Sequence, residues 1–479
     1  MLLRHTSYYM LASAFSALVG LLSAVVFTRA LSPGEYGIYV VGTTTAGIVS
    51  AVLFTWVRVS ALRFQSEGGT VDIRATVYLA YLISISGLPI LIAAAAPFSG
   101  YSVERSLGAA IFTAGLGLFE LGQELLKARI QIRWFSIGSV MRSVAAFSLC
   151  LVAASLGGSG LGQLVMAGLA YFVAAGLVAR AVWSRPVAPL NPPLLKAFLW
   201  YGAPITVSGF VYAIHAGLDR LFIAYLLGDS AAGLYGASAD FVRQIILLPA
   251  ISVAAAAIPL TVRAFANGER GVARAHLESA AELLFAILLP SVVGLALTSP
   301  YIAATVLGPS FRQAAVAVMP ILAFAWLFQS ISQSYIHISF QLAKKLHLVL
   351  VQSVGTLATN VAALPFLITK FGLPGAAAAL VLAEAFGVLL GFWLTRRAHP
   401  LPLVPSRLLR VVLATSLMAL TVMGLRTLLT GAGPIQLAIL VSGGGGAYAV
   451  AACALNIAGV GTYVQAFVAK RLIAHSSAI

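Results

Sequence analysis

Long apolar runs alternate with short polar segments along the whole chain. Each run holds about the 20 residues that an α-helix needs to cross a bilayer. Backbone polar groups in lipid must be satisfied within the protein, so runs of this kind predict an all-α polytopic membrane protein. The pattern predicts fourteen spans, roughly at 8–30, 37–60, 76–97, 107–127, 136–156, 161–183, 197–227, 236–261, 277–298, 314–342, 348–369, 375–395, 411–429 and 435–457.

Two proline-rich connectors divide these spans into groups of six, six and two. A short turn with one acid, followed by Tyr-Gly, comes after the first span of each six, at 31–39 and again at 225–236. Internal repeats of this kind are typical of transporters, whose substrate path lies between the repeats. We therefore predict an N-terminal lobe at 1–183, a connector at 184–196, a C-terminal lobe at 197–395, and two further spans with a cytoplasmic tail at 396–479.

The composition is that of a protein in lipid. The chain is 61% hydrophobic and 9% charged, whereas soluble domains carry about 25% charged residues. When the N-terminus is placed in the cytoplasm, most of the 29 Lys and Arg residues fall in inner segments. This asymmetry predicts that both termini are cytoplasmic. It also accounts for the net charge of +16 as a topology signal and an attraction to anionic lipid, with no nucleic-acid partner.

Several kinds of chemistry find no support in the sequence. It contains no Walker phosphate-binding loop and no histidine cluster with metal-ligand spacing. The predicted outer loops are too short to place the acid–base pair of a transferase. We therefore expect a transporter rather than an enzyme, and no cofactor.

Four short motifs resemble the polysaccharide transporter family, which includes O-antigen and exopolysaccharide flippases. They are the run FTRALSPGEYG at 27–37, Arg63 at the end of the second span, LDRLFI at 218–223 and GLYG at 233–236. That family belongs to the multidrug/oligosaccharidyl-lipid/polysaccharide (MOP) exporter superfamily. The resemblance implies two pseudo-symmetric six-helix lobes around a cavity, with two added C-terminal helices, in the bacterial inner membrane.

The resemblance also implies a substrate and partners. The substrate is an undecaprenyl-pyrophosphate-linked oligosaccharide, moved from the cytoplasmic to the periplasmic leaflet for surface polysaccharide or lipopolysaccharide synthesis. Membrane lipids, a polysaccharide polymerase and a chain-length regulator are the implied partners. Three alternatives stay open: a flippase for the lipid-linked peptidoglycan precursor, a cation-coupled multidrug exporter, and, from another class, a membrane glycosyltransferase or polymerase.

Charged residues inside spans are costly and normally face the bundle interior. We predict a cationic cavity for the pyrophosphate, although Arg58 near a span end has the alternative of reaching lipid headgroups. The residues concerned are Arg58, Arg142, Arg220 and Arg243.

Counting residues from the ends of consecutive antiparallel helices gives the depth of each charged residue in the membrane, and two pairs of opposite charge lie at similar depths. We therefore predict two ion pairs. The first joins Asp219 to Arg243, with Asp240 one turn away, and serves either to hold the helices together or to couple a cation. The second joins Glu120 to Arg142 and is expected to be structural, with Glu124 and Lys127 solvated nearby. Glu384, mid-span and without a partner on its own helix, is expected to be either a protonated structural carboxyl or a proton-coupling group.

Overall fold

A computed structural model describes residues 2–67, 72–99, 102–183, 189–402 and 404–462. These residues are almost entirely helical and contain no β-strand. The predicted cytoplasmic tail, with Lys470 and Arg471, and residues 184–188 of the first connector lie outside the described residues. The helices are α1 (Leu2–Ala30), α2 (Pro33–Glu67), α3 (Arg74–Ser86), α4 (Leu88–Ser99), α5 (Val103–Ala128), α6 (Ile132–Ser155), α7 (Gly160–Trp183), α8 (Pro192–Leu227), α9 (Asp229–Ala266), α10 (Arg270–Val306), α11 (Pro309–Ile331), α12 (His337–Leu342), α13 (His347–Thr395), α14 (Pro405–Leu428) and α15 (Pro434–Ala454).

Thirteen helical segments of the described chain are long and apolar enough to cross a membrane. One of them, α13, has 49 residues, or about 74 Å of helix at 1.5 Å per residue, which is twice the thickness of a bilayer core. Its middle is broken at Gly372, where φ is 60° and ψ is −137°. A Cβ atom on Gly375 would overlap the carbonyl of Leu367, so the chain turns back on itself here. The segment therefore contains two spans, and the prediction of fourteen is confirmed.

Two of the spans are interrupted without turning back. The third span comprises α3 and α4, which meet at Gly87. The tenth comprises α11 and α12, joined by a π-helical turn at Ser332–Ile336. Single π-turns inside α-helices often mark functional sites, and this one lies among the buried polar residues described below.

The chain forms two compact units, Met1–Ala237 and Ser238–Ile479. In the first unit α2 is central, because α5, α7 and α8 all pack against it. Three glycines of α8 let the two backbones approach along their length, as small residues do between membrane helices. They are Gly202 against Trp56, Gly209 against Thr55 and Gly217 against Thr44.

The two repeated Tyr-Gly turns lie against each other in the first unit. A Cβ atom on Gly37, in α2, would overlap the carbonyl of Asp229 at the start of α9. A Cβ atom on Gly233, in α9, would overlap the carbonyl of Pro33 at the start of α2. In both contacts a glycine of one helix lies against the first residue of the other, so the repeated motif forms a symmetric crossing of α2 and α9. A larger residue than glycine does not fit at either position.

In the second unit α11 packs between α10 and α13, and the last two spans pack against α10. The Tyr448 hydroxyl of α15 donates a hydrogen bond of 2.6 Å to the carbonyl of Ala286 in α10. Arg407, at the start of α14, bridges two acids of α10, Glu278 and Glu282, each at 3.2 Å. The lobe boundaries at 183 and 197 stay a prediction.

Candidate functional site

A charged network lies inside the first unit where α2 meets α5. Arg58 of α2 forms a 2.7 Å ion pair with Glu120 and a 3.8 Å pair with Glu124, both on α5. Lys127, one turn further along α5, pairs with Glu124 at 2.9 Å. The three α5 residues share one face because they are spaced by four and three positions. The network holds two acids and two bases, so it is electrically neutral.

The predicted pairing of Glu120 with Arg142 is wrong, because Arg58 is the ion-pair partner of Glu120. The face of α5 that carries Glu120 and Glu124 is directed at Arg58 of α2. Glu124 is buried at 8% exposure, which also corrects the expectation that it is solvated. Side-chain exposures of 31% for Arg58 and 27% for Glu120 leave this pair open on one side.

Arg142 of α6 lies over an aromatic cluster. Its guanidinium is 5.7 Å from the centroid of the Tyr171 ring and donates a 3.0 Å hydrogen bond to the Ser143 hydroxyl. The Tyr171 ring in turn contacts Phe112 and Phe119. A guanidinium over an aromatic face is stabilised while its N–H edge stays available for hydrogen bonding.

Asp219 and Arg220 lie near the end of α8. Asp219 is 5% exposed, and its carboxylate accepts a 2.9 Å hydrogen bond from the Arg220 backbone N–H. The carboxylate also lies beside the phenol of Tyr235, a fully buried residue of the second Tyr-Gly turn. Sequence reasoning missed Tyr235, although its place in the repeated motif was the available signal.

Two of the predicted site residues lie on α9 in the second unit. Arg243 has its guanidinium 5.5 Å from the centroid of the Trp326 ring on α11. Asp240 lies one turn earlier on the same helix. The predicted pairing of Asp219 with Arg243 joins residues of different units and stays a prediction.

A buried polar seam runs between α11 and the two halves of α13. The Gln329 side chain donates a 3.0 Å hydrogen bond to the carboxylate of Glu384, which is 4% exposed. The Gln352 side chain donates to the Ser332 hydroxyl of the π-turn at 3.2 Å and to the Gly387 carbonyl at 2.8 Å. Glu384 thus faces another helix, where the Gln329 amide is one of its partners; its structural and proton-coupling interpretations both stay predictions.

Asn360 continues this seam. Gly391 contacts Gln352 and Gly387 contacts Thr356, so the antiparallel register places Asn360, one turn after Thr356, at the level of Ala383, the neighbour of Glu384. Asn360 is fully buried, and neither its amide nitrogen nor its amide oxygen has a hydrogen-bond partner in the described part of the chain. The side-chain oxygens of Gln329 and Gln352 are likewise without a donor there. Sequence reasoning missed these amides, although each is a polar residue inside an apolar span.

Comparisons with known proteins identify the family of the chain. The profile described as polysaccharide biosynthesis protein matches residues 2–265, more than half of the chain. No curated protein matches the chain by sequence.

Solved structures match over most of the chain. The lipid II flippase MurJ in an inward closed conformation has a TM-score of 0.76 at 15% identity, covering 94% of this chain and 98% of its own. A multidrug resistance MATE family transporter of the MOP superfamily matches in an inward-facing conformation, with a TM-score of 0.65, 16% identity, and coverage of 80% and 94%. An outward-facing MATE family structure matches with a TM-score of 0.53 at 17% identity, covering 82% of this chain and 94% of its own. At these identities the likeness concerns the fold alone.

Proposed function

Because the chain belongs to the polysaccharide biosynthesis protein family and has the fold of MOP superfamily transporters, we propose that it is a flippase for lipid-linked oligosaccharides. Its substrate is an oligosaccharide repeat unit on undecaprenyl pyrophosphate, carried from the cytoplasmic to the periplasmic leaflet by alternating access of residues 1–183 and 197–395. The family match is the observation that carries this proposal. The proposed location is the bacterial inner membrane, and the distribution of Lys and Arg supports an orientation with both termini in the cytoplasm.

The network around Arg58 supports a mechanism for taking up the pyrophosphate. In the absence of substrate, Glu120 and Glu124 neutralise Arg58 and Lys127, which limits the cost of keeping cations in the membrane. Phosphate oxygens accept strong, bidentate hydrogen bonds from a guanidinium. The entering pyrophosphate replaces the Glu120 carboxylate at Arg58, which is reached through the open side of the pair.

We propose that the other predicted cations also contact the pyrophosphate. Arg142 and Arg243 are each held over an aromatic ring, an arrangement that fixes a guanidinium without consuming its N–H donors. Replacing Arg220 or Arg243 by Ala should abolish surface polysaccharide while the protein stays at its normal level in the membrane. Disappearance of the protein from the membrane would instead assign these arginines a structural role. Restoration of function by exchanging Asp219 and Arg243 would favour an ion pair over substrate contact.

We propose that energy coupling uses acidic residues of the membrane spans. Because the sequence contains no Walker loop, transport runs down the substrate gradient or uses an ion gradient or the membrane potential, which supplies about 2.3 kcal/mol per charge at 100 mV. Glu384, with the amides around it, is the candidate for binding a proton or cation. Asp219, Asp240 and Glu120 are the other candidates, with a purely structural role as the alternative for each.

A second candidate function is the flipping of a peptidoglycan precursor. The match to a lipid II flippase extends over nearly the whole length of both chains, which favours it over the drug exporter. Expression in a strain depleted of its own lipid II flippase separates the two functions. Our proposal expects no rescue of growth there, whereas full rescue would support the second candidate.

Deletion of the gene in its own host tests the proposal. We expect loss of surface polysaccharide and accumulation of undecaprenyl-pyrophosphate-linked repeat units, reversed by the wild-type chain and not by Arg58→Ala. Arg133→Ala, which removes an exposed arginine, is the matched control and should restore the polysaccharide. Normal polysaccharide in the deletion strain would overturn the proposal.

A further inference from the structure

One side chain of the second unit carries polar groups that the chain does not pair. Asn360 lies in the first half of α13 and is fully buried. Both polar atoms of its amide, Oδ1 and Nδ2, lack a hydrogen-bond partner among the described residues. A flip of the amide exchanges these atoms and leaves both unpaired, so the finding is the same for either orientation. Burying an amide without a partner is costly, so Asn360 points to a ligand.

The side chains around Asn360 are apolar or already engaged. Ala383, which lies opposite Asn360 across the two halves of α13, carries no polar group. The hydroxyls of Thr356 and Thr359, on the same half of α13 as Asn360, donate hydrogen bonds of 3.0 and 2.9 Å to main-chain carbonyls one turn earlier. Hydroxyls that bond their own helix in this way have used their donor. Within the described residues, the chain therefore supplies no partner for Asn360.

A carboxylate and a second amide lie at the same level of the seam. Glu384 follows Ala383 and accepts a 3.0 Å hydrogen bond from the side chain of Gln329 on α11. The amide oxygen of Gln329 has no donor in the described part of the chain. The site therefore combines an unpaired N–H₂ group, two unpaired amide oxygens and a carboxylate.

This mixture of donors and acceptors determines which ligand fits. Hard cations take oxygen ligands, so a metal ion at this site would leave the N–H₂ group of Asn360 unpaired. Water both donates and accepts hydrogen bonds. A buried water typically makes about three hydrogen bonds to polar groups that are otherwise unpaired. The groups of Asn360 and Gln329 match water and do not match a metal ion.

We propose that Asn360 binds an ordered water that donates to the Gln329 oxygen and hydrates the Glu384 carboxylate. The inference rests on the proposed function, in which Glu384 is a candidate for ion coupling, and it names the ion as a proton. A hydronium ion that reaches the site transfers one proton to the carboxylate and remains as the bound water. A metal cation is not the coupling ion at this site.

Two other ionisable side chains border the seam. His337 lies beside Gln352, about two turns before Asn360 on α13. Arg243 lies over the ring of Trp326, about one turn before the amide of α11 that contacts the carboxylate. Since an arginine stays protonated, His337 is the alternative proton acceptor, and His337→Gln is the matched control below.

Crystals of the full-length protein soaked in thallium(I) distinguish water from a metal ion. Thallium(I) is a monovalent cation with a strong anomalous signal. We expect a solvent peak about 2.7–3.2 Å from both atoms of the Asn360 amide, without an anomalous signal, and no such peak in Asn360→Leu. An anomalous peak at Asn360, or no solvent peak in the wild type, would overturn the proposal.

Proteoliposomes that contain an undecaprenyl-pyrophosphate-linked oligosaccharide test the coupling ion. An imposed pH gradient should accelerate exposure of the substrate by the wild type severalfold, and a sodium gradient at constant pH should not. Asn360→Leu should lose this acceleration, whereas His337→Gln should keep it. Acceleration by sodium, or an unchanged response to pH in Asn360→Leu, would overturn the inference. A wild type that exposes no substrate under any gradient would overturn the proposed function instead, and the crystals would still decide whether water is bound.

Discussion

The glycine crossing of α2 and α9 makes a sharp prediction about stability. Replacing Gly37 by Ala adds a Cβ atom that overlaps the backbone carbonyl of Asp229. The obstacle is main chain on the first turn of another helix, so no side-chain rotation relieves it. Gly47, ten residues further along α2, has no atom within 4 Å of its own added Cβ. Gly47→Ala is therefore a control with the same chemistry on the same helix.

The magnitude follows from two opposing effects. Exchanging Gly for Ala inside a helix stabilises it by about 1 kcal/mol. Overpacking costs about 1–3 kcal/mol, and a clash with backbone belongs at the upper end of that range. We expect Gly37→Ala to lose about 2 kcal/mol overall and Gly47→Ala to gain up to about 1 kcal/mol.

Thermal unfolding of the purified proteins in detergent measures the difference. For a unit of this size, about 2–4 °C of Tm accompanies each kcal/mol, so Gly37→Ala should unfold about 4–8 °C below the wild type. Gly233→Ala, which clashes with the Pro33 carbonyl in the equivalent way, should behave alike. If Gly37→Ala is as stable as Gly47→Ala, the close crossing does not exist and the reasoning is refuted.

Three further predictions concern charged contacts. Arg58→Ala should destabilise the protein by about 2 kcal/mol, because it leaves the partly exposed Glu120 without its cation. Adding Glu120→Gln should relieve part of that loss, since the effects of two residues in contact are not additive. Chemical denaturation of the two single variants and the double variant measures the coupling free energy, and strict additivity would contradict the prediction. Glu384→Gln keeps an oxygen acceptor, so it should change the free energy of unfolding by less than about 1 kcal/mol. It should nevertheless make transport in proteoliposomes independent of an imposed ion gradient. If transport by the variant still depends on the gradient as in the wild type, Glu384 has no role in coupling. Arg407→Ala should lower the free energy of unfolding by about 2–3 kcal/mol, because it leaves the Glu282 side chain, which is 8% exposed, without its cation. An unfolding temperature equal to that of the wild type would contradict this prediction.

The membrane fold was predictable from the sequence because each span is a local property. A run of about 20 apolar residues identifies a helix without reference to its neighbours. Two spans, at 348–369 and 375–395, were predicted within α13 for the same reason, although the helix looks continuous there. The alternation of basic segments gave the span count a second, independent support.

The ion pairs were less predictable because they depend on which helices touch. Depth along a helix follows from counting residues, but the face that a helix presents, and to which neighbour, is set by packing of the whole unit. Glu120 and Arg142 lie on consecutive helices, yet the Glu120 carboxylate turns to Arg58 on α2. Glu384 looked isolated on its own helix and found Gln329 across the unit. Amides such as Asn360 carry no charge, so a search for charges overlooked them.

The central claim is that the protein moves lipid-linked oligosaccharides across a bilayer. The direct measurement uses proteoliposomes loaded with an undecaprenyl-pyrophosphate-linked oligosaccharide and an external enzyme or lectin that reaches only the outer leaflet. The account predicts that the wild-type chain exposes the inner-leaflet substrate, that Arg58→Ala slows this at least tenfold, and that no sugar is transferred. Exposure at the protein-free rate, or sugar transfer by the purified protein, would contradict it.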